Sequence, residues 1–318
     1  MLKRLVLNRL ALGTVAALIM MQSAHAADKL TVMLDWFINP DHAPILVAQQ
    51  IGAFKDEGLD VEIVPPADPS VPPRLLAAKQ VDLALSYQPQ LYLLADQGLP
   101  VVRVGTLIDH PLNTLLAIEG NGIKDIAGFK GKKIGFSVSG VEDATLGTML
   151  AKGGLSVKDV SLVNVNFQLV SALLSKQVDG VIGAYRNVEV NEIKEHGVTP
   201  VVFNVEDYGI PAYDELIILA NKDSAKDPRI PKFLAALKKG TDYLLAHPAE
   251  TWATFAKEHA DLNNELNKAS WQQTLPMFDK DPAKLDAARY EAYGKFLFDS
   301  KLIKKELPVS DYAIDVTK

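Results

Sequence analysis

Three short segments of this chain combine aromatic rings with amide, hydroxyl, imidazole and carboxyl groups. They occupy residues 34–43 (LDWFINPDHA), 84–90 (ALSYQPQ) and 208–216 (YGIPAYDEL). Such side chains suit a flat, polar and mostly uncharged ring, which stacks on an aromatic face and is recognised at its edges by hydrogen bonds. The segments therefore indicate a binding site for a small heteroaromatic molecule.

Each candidate also has a purely structural interpretation. Trp36 and Phe37 can be core residues, and His42 can simply begin a helix. The Ser- and Gly-containing stretch at 137–140 suits an anion at a helix N-terminus, but Ser and Gly also cap helices generally. Glu215 can be a solvated surface carboxylate or, at a hinge beside tyrosines, a partner for a ligand amino group. No single residue decides the function.

The familiar enzyme motifs are absent from the sequence. It has no Gly-x-Ser-x-Gly elbow, His-Glu-x-x-His pair, phosphate-binding loop or Gly-x-Gly-x-x-Gly turn. The lack of cysteine excludes disulfides, thiolate metal ligands and cysteine nucleophiles. Asp35, His42 and Ser86 can be drawn as a triad, but similar trios occur in many chains. We expect a binding protein without catalytic residues, metal or cofactor.

The first 26 residues are typical of a secretory signal peptide. Three basic residues precede an apolar run at 10–21, and an Ala-x-Ala pattern ends at Ala26. The run is shorter than the ~20 residues that span a bilayer, although an uncleaved anchor is the alternative. Without this segment the formal net charge moves from −6 to −9. An acidic exported chain is a poor partner for nucleic acid, so we expect a soluble periplasmic protein.

Apolar periodicity predicts two similar units of alternating strands and helices. Both units carry Lys-Gln-Val-Asp, at 79–82 and 176–179, where a predicted helix closes and a strand opens. We therefore predict two βαβαβ lobes, each with a mostly parallel sheet covered by helices. The predicted strands lie at 30–36, 60–64, 81–86 and 101–107 in the first unit and at 133–138, 160–166 and 178–183 in the second.

The remainder of the chain, from Arg229 onward, has only helical periodicity. We expect these helices to pack on the first lobe, with 217–220 as a returning strand. Crossings between the lobes are expected near 115–119 and 214–222. The predicted organisation is a signal peptide at 1–26, a first lobe at 27–115 with 221–318, and a second lobe at 116–220.

Two of the polar-aromatic segments, at 34–43 and 84–90, fall where predicted strands end, and the third, at 208–216, lies on the connection back to the first lobe. Ligands of parallel sheets bind at the carboxyl ends of the strands, so these segments should face a common cleft. The second lobe would contribute its own strand ends at 137–140, 166–167 and 183–186, which include Phe167 and Tyr185. The sequence thus predicts a hinged pair of lobes with a ligand between them.

The segments at 34–43, 84–90 and 208–216 resemble those of periplasmic binding proteins that deliver pyrimidine precursors of thiamine to ABC importers. The same superfamily includes the eukaryotic thiamine-pyrimidine synthases, and the resemblance covers roughly residues 30–310. It implies a type II periplasmic-binding-protein fold that holds a formylated aminomethylpyrimidine between its lobes. It also implies a monomer that docks on the permease and ATPase subunits of an importer.

The resemblance assigns roles to individual residues. Trp36, Tyr208 and Tyr213 would stack on or flank the ring, and Glu215 would read the edge of the aminopyrimidine. Asp214 stands where close relatives are expected to carry a further tyrosine, which leaves the identity of the ligand open. The first lobe would contribute the further lining residues Asn39, His42, Ser86, Tyr87, His110 and Asn113.

Other functions stay open at this point. The synthase branch uses a cysteine-rich iron-binding motif and a sacrificial histidine, so a chain without cysteine looks like a binder. The alternatives are a binder of riboflavin or of a sulfonate such as taurine, an exported pyrimidine-metabolising enzyme, and a sensor that signals to a membrane receptor. A sulfonate should prefer a basic pocket, for which Arg186 is the one obvious cation at the cleft.

Overall fold

The computed structural model describes residues 27–318, so the predicted signal peptide at 1–26 lies outside the described residues. None of the helices within the described part of the chain is both long and apolar enough to cross a membrane. The strands are β1 (Asp28–Met33), β2 (Leu59–Val64), β3 (Leu83–Ser86), β4 (Val101–Ile108), β5 (Asn113–Ile118), β6 (Lys133–Phe136), β7 (Ser161–Asn164), β8 (Gly180–Tyr185), β9 (Pro200–Asn204) and β10 (Leu216–Asn221).

Helices cover and connect these strands. They are α1 (Ala43–Gln50), α2 (Ala53–Asp56), α3 (Pro72–Ala77), α4 (Gln88–Asp96), α5 (Val141–Lys152), α6 (Leu169–Leu174), α7 (Glu189–Glu195), α8 (Arg229–Ala246), α9 (Pro248–Glu258), α10 (Glu265–Thr274) and α11 (Ala287–Asp299). Short 3-10 turns, among them Pro40–His42 and Val205–Tyr208, fill several connections. The alternation of strands and helices follows the predicted one except for β5 and β9, which the periodicity does not predict as strands.

The strands form two five-stranded sheets of the same design. The first has the order β2-β1-β3-β10-β4 and the second β7-β6-β8-β5-β9. In each sheet three strands pair in parallel, and one inserted strand, β10 or β5, runs antiparallel to both of its neighbours. This confirms the two-lobed α/β fold and the returning strand at 217–220. We call the sheet that contains β1 the first lobe and the other the second lobe.

The chain passes between the lobes at residues 109–112 and 205–215, because β5 pairs in the second sheet and β10 in the first. The expected crossings at 115–119 and 214–222 instead overlap these two strands. Both strands are buried at every position. A strand buried on both faces is a continuous apolar run without alternation, so periodicity could not separate it from a buried connection.

The C-terminal helices pack on the first lobe, as expected. Helix α8 lies along α1 and α2, and its apolar side contributes Phe233, Leu234 and Leu237 to the first core cluster. The final segment is tied to β4 by backbone hydrogen bonds between Arg103 and residues 312–314. Helix α10 also reaches α7 of the second lobe. The tail therefore completes the first lobe and touches the second at the cleft.

Close packing of α8 on α1 gives a test of this arrangement. A Cβ atom on Gly240 would lie 2.5 Å from the carbonyl oxygen of Pro44 and 2.7 Å from the Ala48 Cβ. Gly147 in α5 has room, because its Cβ would meet only a Val157 methyl at 3.5 Å. We expect Gly240→Ala to lower the free energy of unfolding by about 1–3 kcal/mol in urea titrations. Gly147→Ala should leave the free energy of unfolding unchanged or raise it by up to about 1 kcal/mol. The same loss of stability in both variants would contradict the close packing of α8 on α1.

Candidate functional site

A cavity of about 450 Å³ lies between the two lobes. It is lined by residues that follow β1, β3, β6, β7 and β8, together with the start of α7 and part of α10. The carboxyl ends of parallel strands in both sheets thus meet at one place, as the topology requires. The volume is in the range of cavities that enclose a small organic ligand.

Glu215 lies in this cavity wall, at the end of the second crossing. Its Oε2 atom accepts hydrogen bonds from the backbone N–H groups of Leu112 (2.6 Å) and Asn113 (2.9 Å) and from the Tyr213 hydroxyl (3.0 Å). Its Oε1 atom has only a long contact, 3.4 Å, from the Tyr185 hydroxyl. One carboxylate oxygen is therefore committed to the protein, which leaves Oε1 as the oxygen available to the cavity.

Burial changes the protonation of this carboxyl. Glu215 is only 2% exposed, and desolvation raises its pKa to about 7 although the three donors and Arg186 favour the charged form. The neighbouring phenols stay neutral, because burial raises the pKa of Tyr213 and of Tyr185 well above the usual value of 10. Near neutral pH, Glu215 is thus divided between its protonated and ionised forms.

A second polar network follows β1. Asn39 caps the 3-10 turn at Pro40–His42, and its backbone N–H donates to Nδ1 of His42 (3.3 Å). With Nδ1 as an acceptor, Nε2 of His42 carries the proton and donates to Asp35 Oδ1 (2.9 Å). The Tyr87 hydroxyl donates to the other oxygen of Asp35 (2.8 Å). His42 therefore ends the 3-10 turn just before α1 and also lines the cavity.

Aromatic rings from both lobes form another wall. Trp36, which follows β1, meets Phe167, which follows β7, edge to face with centroids 4.6 Å apart. Phe37 lies 4.2 Å from the same Phe167 ring and is 51% exposed. Trp36 packs against the core of the second lobe although it belongs to the first. These rings bridge the cleft at the edge of the cavity.

A buried polar contact joins the lobes nearby. The Asn187 amide, just before α7, donates to Asp41 Oδ1 (2.6 Å) and to the Thr274 hydroxyl oxygen (2.6 Å) of α10. The Thr274 hydroxyl in turn donates to Asp41 Oδ1 (3.0 Å). Burial raises the pKa of Asp41 to about 6, partly offset by these donors and by His42. This contact links α7 of the second lobe to two elements of the first.

The structure brings most of the sequence-predicted site residues to this cavity. Those that line it are Trp36, Asn39, His42, Tyr87, Asn113 and Glu215. Four others do not belong to its lining: Ser86, His110, Tyr208 and Tyr213.

Two of these four lie on first-lobe strand ends but point elsewhere. The Ser86 hydroxyl is buried and donates to Gln90 Oε1 (2.8 Å), so it forms no triad with the Asp35–His42 pair. His110 belongs to the first crossing, where its half-exposed ring pairs with Asp109. A strand end fixes where a residue lies along the sheet, but not which way its side chain turns.

The two tyrosines of the second crossing also lie outside the lining. Tyr208 ends a short 3-10 turn and packs edge to face on Phe203, with centroids 6.1 Å apart. Tyr213 is completely buried and reaches the site only through its hydrogen bond to Glu215. The aromatic walls come instead from rings such as Phe167 and Tyr185. Both lie at second-lobe strand ends, so the expectation that strand ends face the cleft could have identified them as lining residues.

Asp214 and Arg186 are engaged away from the cavity lining. Asp214 Oδ1 pairs with Arg289 (2.5 Å), and its Oδ2 accepts from the hydroxyls of Thr106 (2.8 Å) and Tyr290 (3.0 Å). The residue that departs from the expected family pattern is therefore a buried structural anion. Arg186 makes a two-pronged ion pair with Glu206. Among the side chains that the structure describes, no cluster of three His, Asp or Glu residues is arranged to hold a metal ion.

Solved structures of periplasmic binding proteins share this fold. The alkanesulfonate-binding protein of Xanthomonas axonopodis pv. citri, solved with bound MOPS, superposes with a TM-score of 0.72 over 90% of this chain and 98% of that one. The two sequences are 19% identical. The chain therefore has a periplasmic-binding-protein fold.

Sequence comparisons identify the family. A "Putative thiamine biosynthesis protein" of Haemophilus influenzae is 49% identical over 95% of this chain and 96% of its own length. The "Formylaminopyrimidine-binding protein" of Halalkalibacterium halodurans is 35% identical over 79% of this chain and 76% of its own length. A "4-amino-5-hydroxymethyl-2-methylpyrimidine phosphate synthase" of Candida albicans is 29% identical over 86% of this chain and 84% of its own length. Since the family model described as "NMT1/THI5 like" also matches residues 39–251, the chain belongs to the NMT1/THI5-like family.

Proposed function

We propose that this protein is the substrate-binding component of an ABC importer and binds a thiamine-precursor pyrimidine in the cavity between its lobes. A suitable ligand is N-formyl-4-amino-5-aminomethyl-2-methylpyrimidine. The relative named for binding formylaminopyrimidine and the periplasmic-binding-protein fold support this role. The proposal places a monomeric protein in the periplasm, where it delivers its ligand to permease and ATPase subunits.

The observation that carries the proposal is the state of Glu215. Three donors fix Oε2, so the side chain cannot rotate without losing them, and Oε1 is left facing a cavity with aromatic walls. An exocyclic amino group on a flat ring is the complementary partner: it donates to Oε1 while the ring packs against the aromatic side chains. Trp36, Asn39, His42, Tyr87 and Asn113 complete the proposed site.

The energetics require several contacts at once. Micromolar affinity corresponds to about 8 kcal/mol. One aromatic contact adds about 0.5–1.5 kcal/mol beyond its buried area, and one hydrogen bond to a charged group contributes about 1.5–3 kcal/mol. Because these groups come from both lobes, a ligand makes all of the contacts only when the lobes meet. It therefore shifts the population towards the closed form.

A sulfonate ligand fits this cavity less well. The one cation expected to hold an anion, Arg186, does not line the cavity and is paired with Glu206. Among the described residues, the lining contains five carboxyl groups and no Lys or Arg side chain that could neutralise an anionic head. This charge balance favours an uncharged pyrimidine over a sulfonate.

An enzyme is the second candidate, because the Candida albicans relative is named a synthase and because His42 lies in the cavity. Incubation of the mature protein with an aminopyrimidine, followed by mass spectrometry of ligand and protein, separates the two functions. We expect both masses to be unchanged, since binding for transport returns the ligand intact. A modified pyrimidine or an altered His42 would assign the chain to the enzymes.

The role of Glu215 is tested by Glu215→Gln in calorimetric titrations with the formylaminopyrimidine and 4-amino-5-hydroxymethyl-2-methylpyrimidine. The three donors to Oε2 would hold the amide oxygen, so the amide nitrogen would face the cavity and offer a donor where the ligand needs an acceptor. We expect at least tenfold weaker binding. Glu195→Gln, an exposed glutamate on α7, is the matched control and should bind normally. Tight binding by Glu215→Gln would remove this residue from the site.

The pH dependence of binding follows from the same carboxyl. If Oε1 accepts from the ligand as a carboxylate, binding below the pKa of Glu215, about 7, must release its proton. The phenols of Tyr213, Tyr185 and Tyr87 around it stay neutral, and Arg186 stays charged. We expect affinity for the hydroxymethylpyrimidine to rise about tenfold from pH 6 to pH 8 and then to level off. In Glu215→Gln this rise should disappear; the same slope in both proteins would assign it to another group.

A further inference from the structure

Arg186 is the cation that the sequence places at the cleft, yet it does not line the cavity. It follows β8, which pairs with β5, and its backbone N–H donates to the carbonyl oxygen of Leu112 at 3.0 Å. Its guanidinium turns back towards the same residues. Nε lies 3.4 Å from the Leu112 oxygen, and Nη2 lies 3.5 Å from the Asn113 oxygen. Arg186 therefore contacts the two residues whose N–H groups hold Glu215.

The peptide group between Leu112 and Asn113 connects Arg186 to Glu215. Its carbonyl oxygen accepts from Arg186, and its N–H donates to Glu215 Oε2 at 2.9 Å. A cation at the oxygen of a peptide group polarises that group and strengthens the hydrogen bond that its N–H donates. The guanidinium thus favours the ionised form of Glu215 through a backbone group that contacts both side chains.

The charge of Arg186 also acts on the Glu215 carboxyl through space. Desolvation raises the pKa of Glu215 to about 7, while the two backbone donors, the Tyr213 hydroxyl and the positive charge of Arg186 lower it. Because Glu215 is buried, a nearby charge is poorly screened by solvent. A change in the charge of Arg186 should therefore change the protonation of Glu215 near neutral pH.

The other titratable groups around Glu215 are phenols and carboxyls. Burial raises the pKa of each phenol above its ordinary value of 10, so these groups stay neutral near pH 7: Tyr87, Tyr185, Tyr213 and Tyr293. The carboxyls of Asp35, Asp41 and Glu189 act on Tyr87 and Tyr185 in the same region, and His42 pairs with Asp35. Among the described groups, Arg186 is the permanent positive charge that acts on Glu215.

Glu206 opposes Arg186 from the surface. Its two carboxylate oxygens accept from Nη1 at 2.6 Å and from Nη2 at 2.8 Å. Partial burial disfavours the ionisation of Glu206, but the hydrogen bonds and charge of Arg186 outweigh this effect and lower the pKa of Glu206. Both members of the pair are therefore charged, and Glu206 offsets part of the field that Arg186 exerts on Glu215.

We propose that Arg186 is a positioning residue that acts through the Leu112–Asn113 peptide group to hold Glu215 in the ionised form that accepts from the ligand, and that Glu206 limits this effect. The inference rests on the proposed function for the identity of the ligand. The cation at the cleft then prepares an acceptor for an uncharged pyrimidine and does not itself bind an anion. Arg186 and Glu206 should influence ligand affinity in opposite directions.

Arg186→Gln tests the first half of the proposal in calorimetric titrations with the formylaminopyrimidine from pH 6 to pH 9.5. We expect the midpoint of the rise in affinity to move up by about one pH unit. Binding should then be about fivefold weaker than in the unchanged protein at pH 7 and equal to it at pH 9.5. Arg186→Lys, which retains the charge, should restore the midpoint. A loss of the same size at pH 7 and pH 9.5 would indicate a purely structural role and overturn the proposal.

Glu206→Gln gives the opposite prediction. The amide retains an oxygen that accepts from Arg186, but the negative charge that offsets the guanidinium is gone. We expect the midpoint to move down by about half a pH unit, because the exposed position of Glu206 weakens its field, and affinity at pH 6 to rise about two- to threefold. Midpoints that move in the same direction in Glu206→Gln and Arg186→Gln would show that loss of the pair disturbs the crossing, and would overturn the proposal.

Lys194→Gln is the matched control for net charge. It removes one positive charge, as Arg186→Gln does, from an exposed position on α7. The midpoint in this variant should equal that of the unchanged protein. A shift as large as that of Arg186→Gln would assign the effect to the total charge of the protein and overturn the role of Arg186.

NMR of the ligand-free protein separates this inference from the proposed function. With carbon-13 at the glutamate carboxyl carbons, the Glu215 signal is identified by its loss in Glu215→Gln, and its titration gives the midpoint directly. We expect a higher midpoint in Arg186→Gln and a lower one in Glu206→Gln than in the unchanged protein. Equal midpoints in all three proteins would overturn this inference even if the pyrimidine binds tightly. Shifted midpoints without pyrimidine binding would overturn the proposed function and leave the control of Glu215 by Arg186 in place.

Discussion

The hydrogen bonds to Oε2 of Glu215 hold together the two chain crossings on which the cleft depends. Glu215 ends the second crossing, while Leu112 and Asn113, whose N–H groups it accepts, end the first and begin β5. The buried Tyr213 hydroxyl donates the third hydrogen bond to the same carboxylate oxygen. A buried carboxyl with three donors is fixed in position, so the same contact that ties the hinge also aims Oε1 at the cavity. Hinge geometry and site geometry are therefore not independent.

A buried apolar cluster contains residues of both lobes, among them Leu91 and Leu94 of α4 and Leu146 and Met149 of α5. Further contacts between the lobes are polar or aromatic. They include the amide of Asn187 against Asp41 and Thr274, the Asn166 amide against Asp68, and the aromatic contact of Trp36 with Phe167. The lobes are therefore joined by a shared apolar core as well as by these polar and aromatic contacts.

Much of the fold follows from local patterns, and the parts that do not follow have physical reasons. The repeated Lys-Gln-Val-Asp motif and the alternating periods predict both sheets, and the strand-end rule leads to Trp36 and Tyr87. Glu215 lies on the connection before β10, and its role is assigned by the family resemblance. The strand-end rule also includes Ser86, whose hydroxyl turns to Gln90 one helical turn further along the chain. Side-chain direction at a strand end depends on packing that the local sequence does not encode.

Long-range pairing limits the prediction further. Asp214 is adjacent to Glu215 in sequence, yet it is neutralised by Arg289 on α11 and has no part in the cavity lining. Glu189 could not be predicted as a cavity-lining residue from the sequence, because a glutamate at the start of a helix is common on protein surfaces. Only the two-lobed arrangement places it beside the cavity between the lobes. Residues whose partners lie 70 or more positions away become visible only once the sheets are assembled.

Several carboxyl groups of the cavity lining are buried. Desolvation by burial raises the pKa of Asp41, Glu189 and Glu215 to about 6, 8 and 7. Each raised pKa means that ionisation is opposed in the ligand-free protein, so a ligand that supplies a donor or a positive charge relieves an unfavourable term. The alkanesulfonate-binding protein has the same fold at a TM-score of 0.72, and a sulfonate presents the opposite demand. The two proteins thus share a fold in which strand ends of two sheets meet, and the side chains at those ends are what can differ between them.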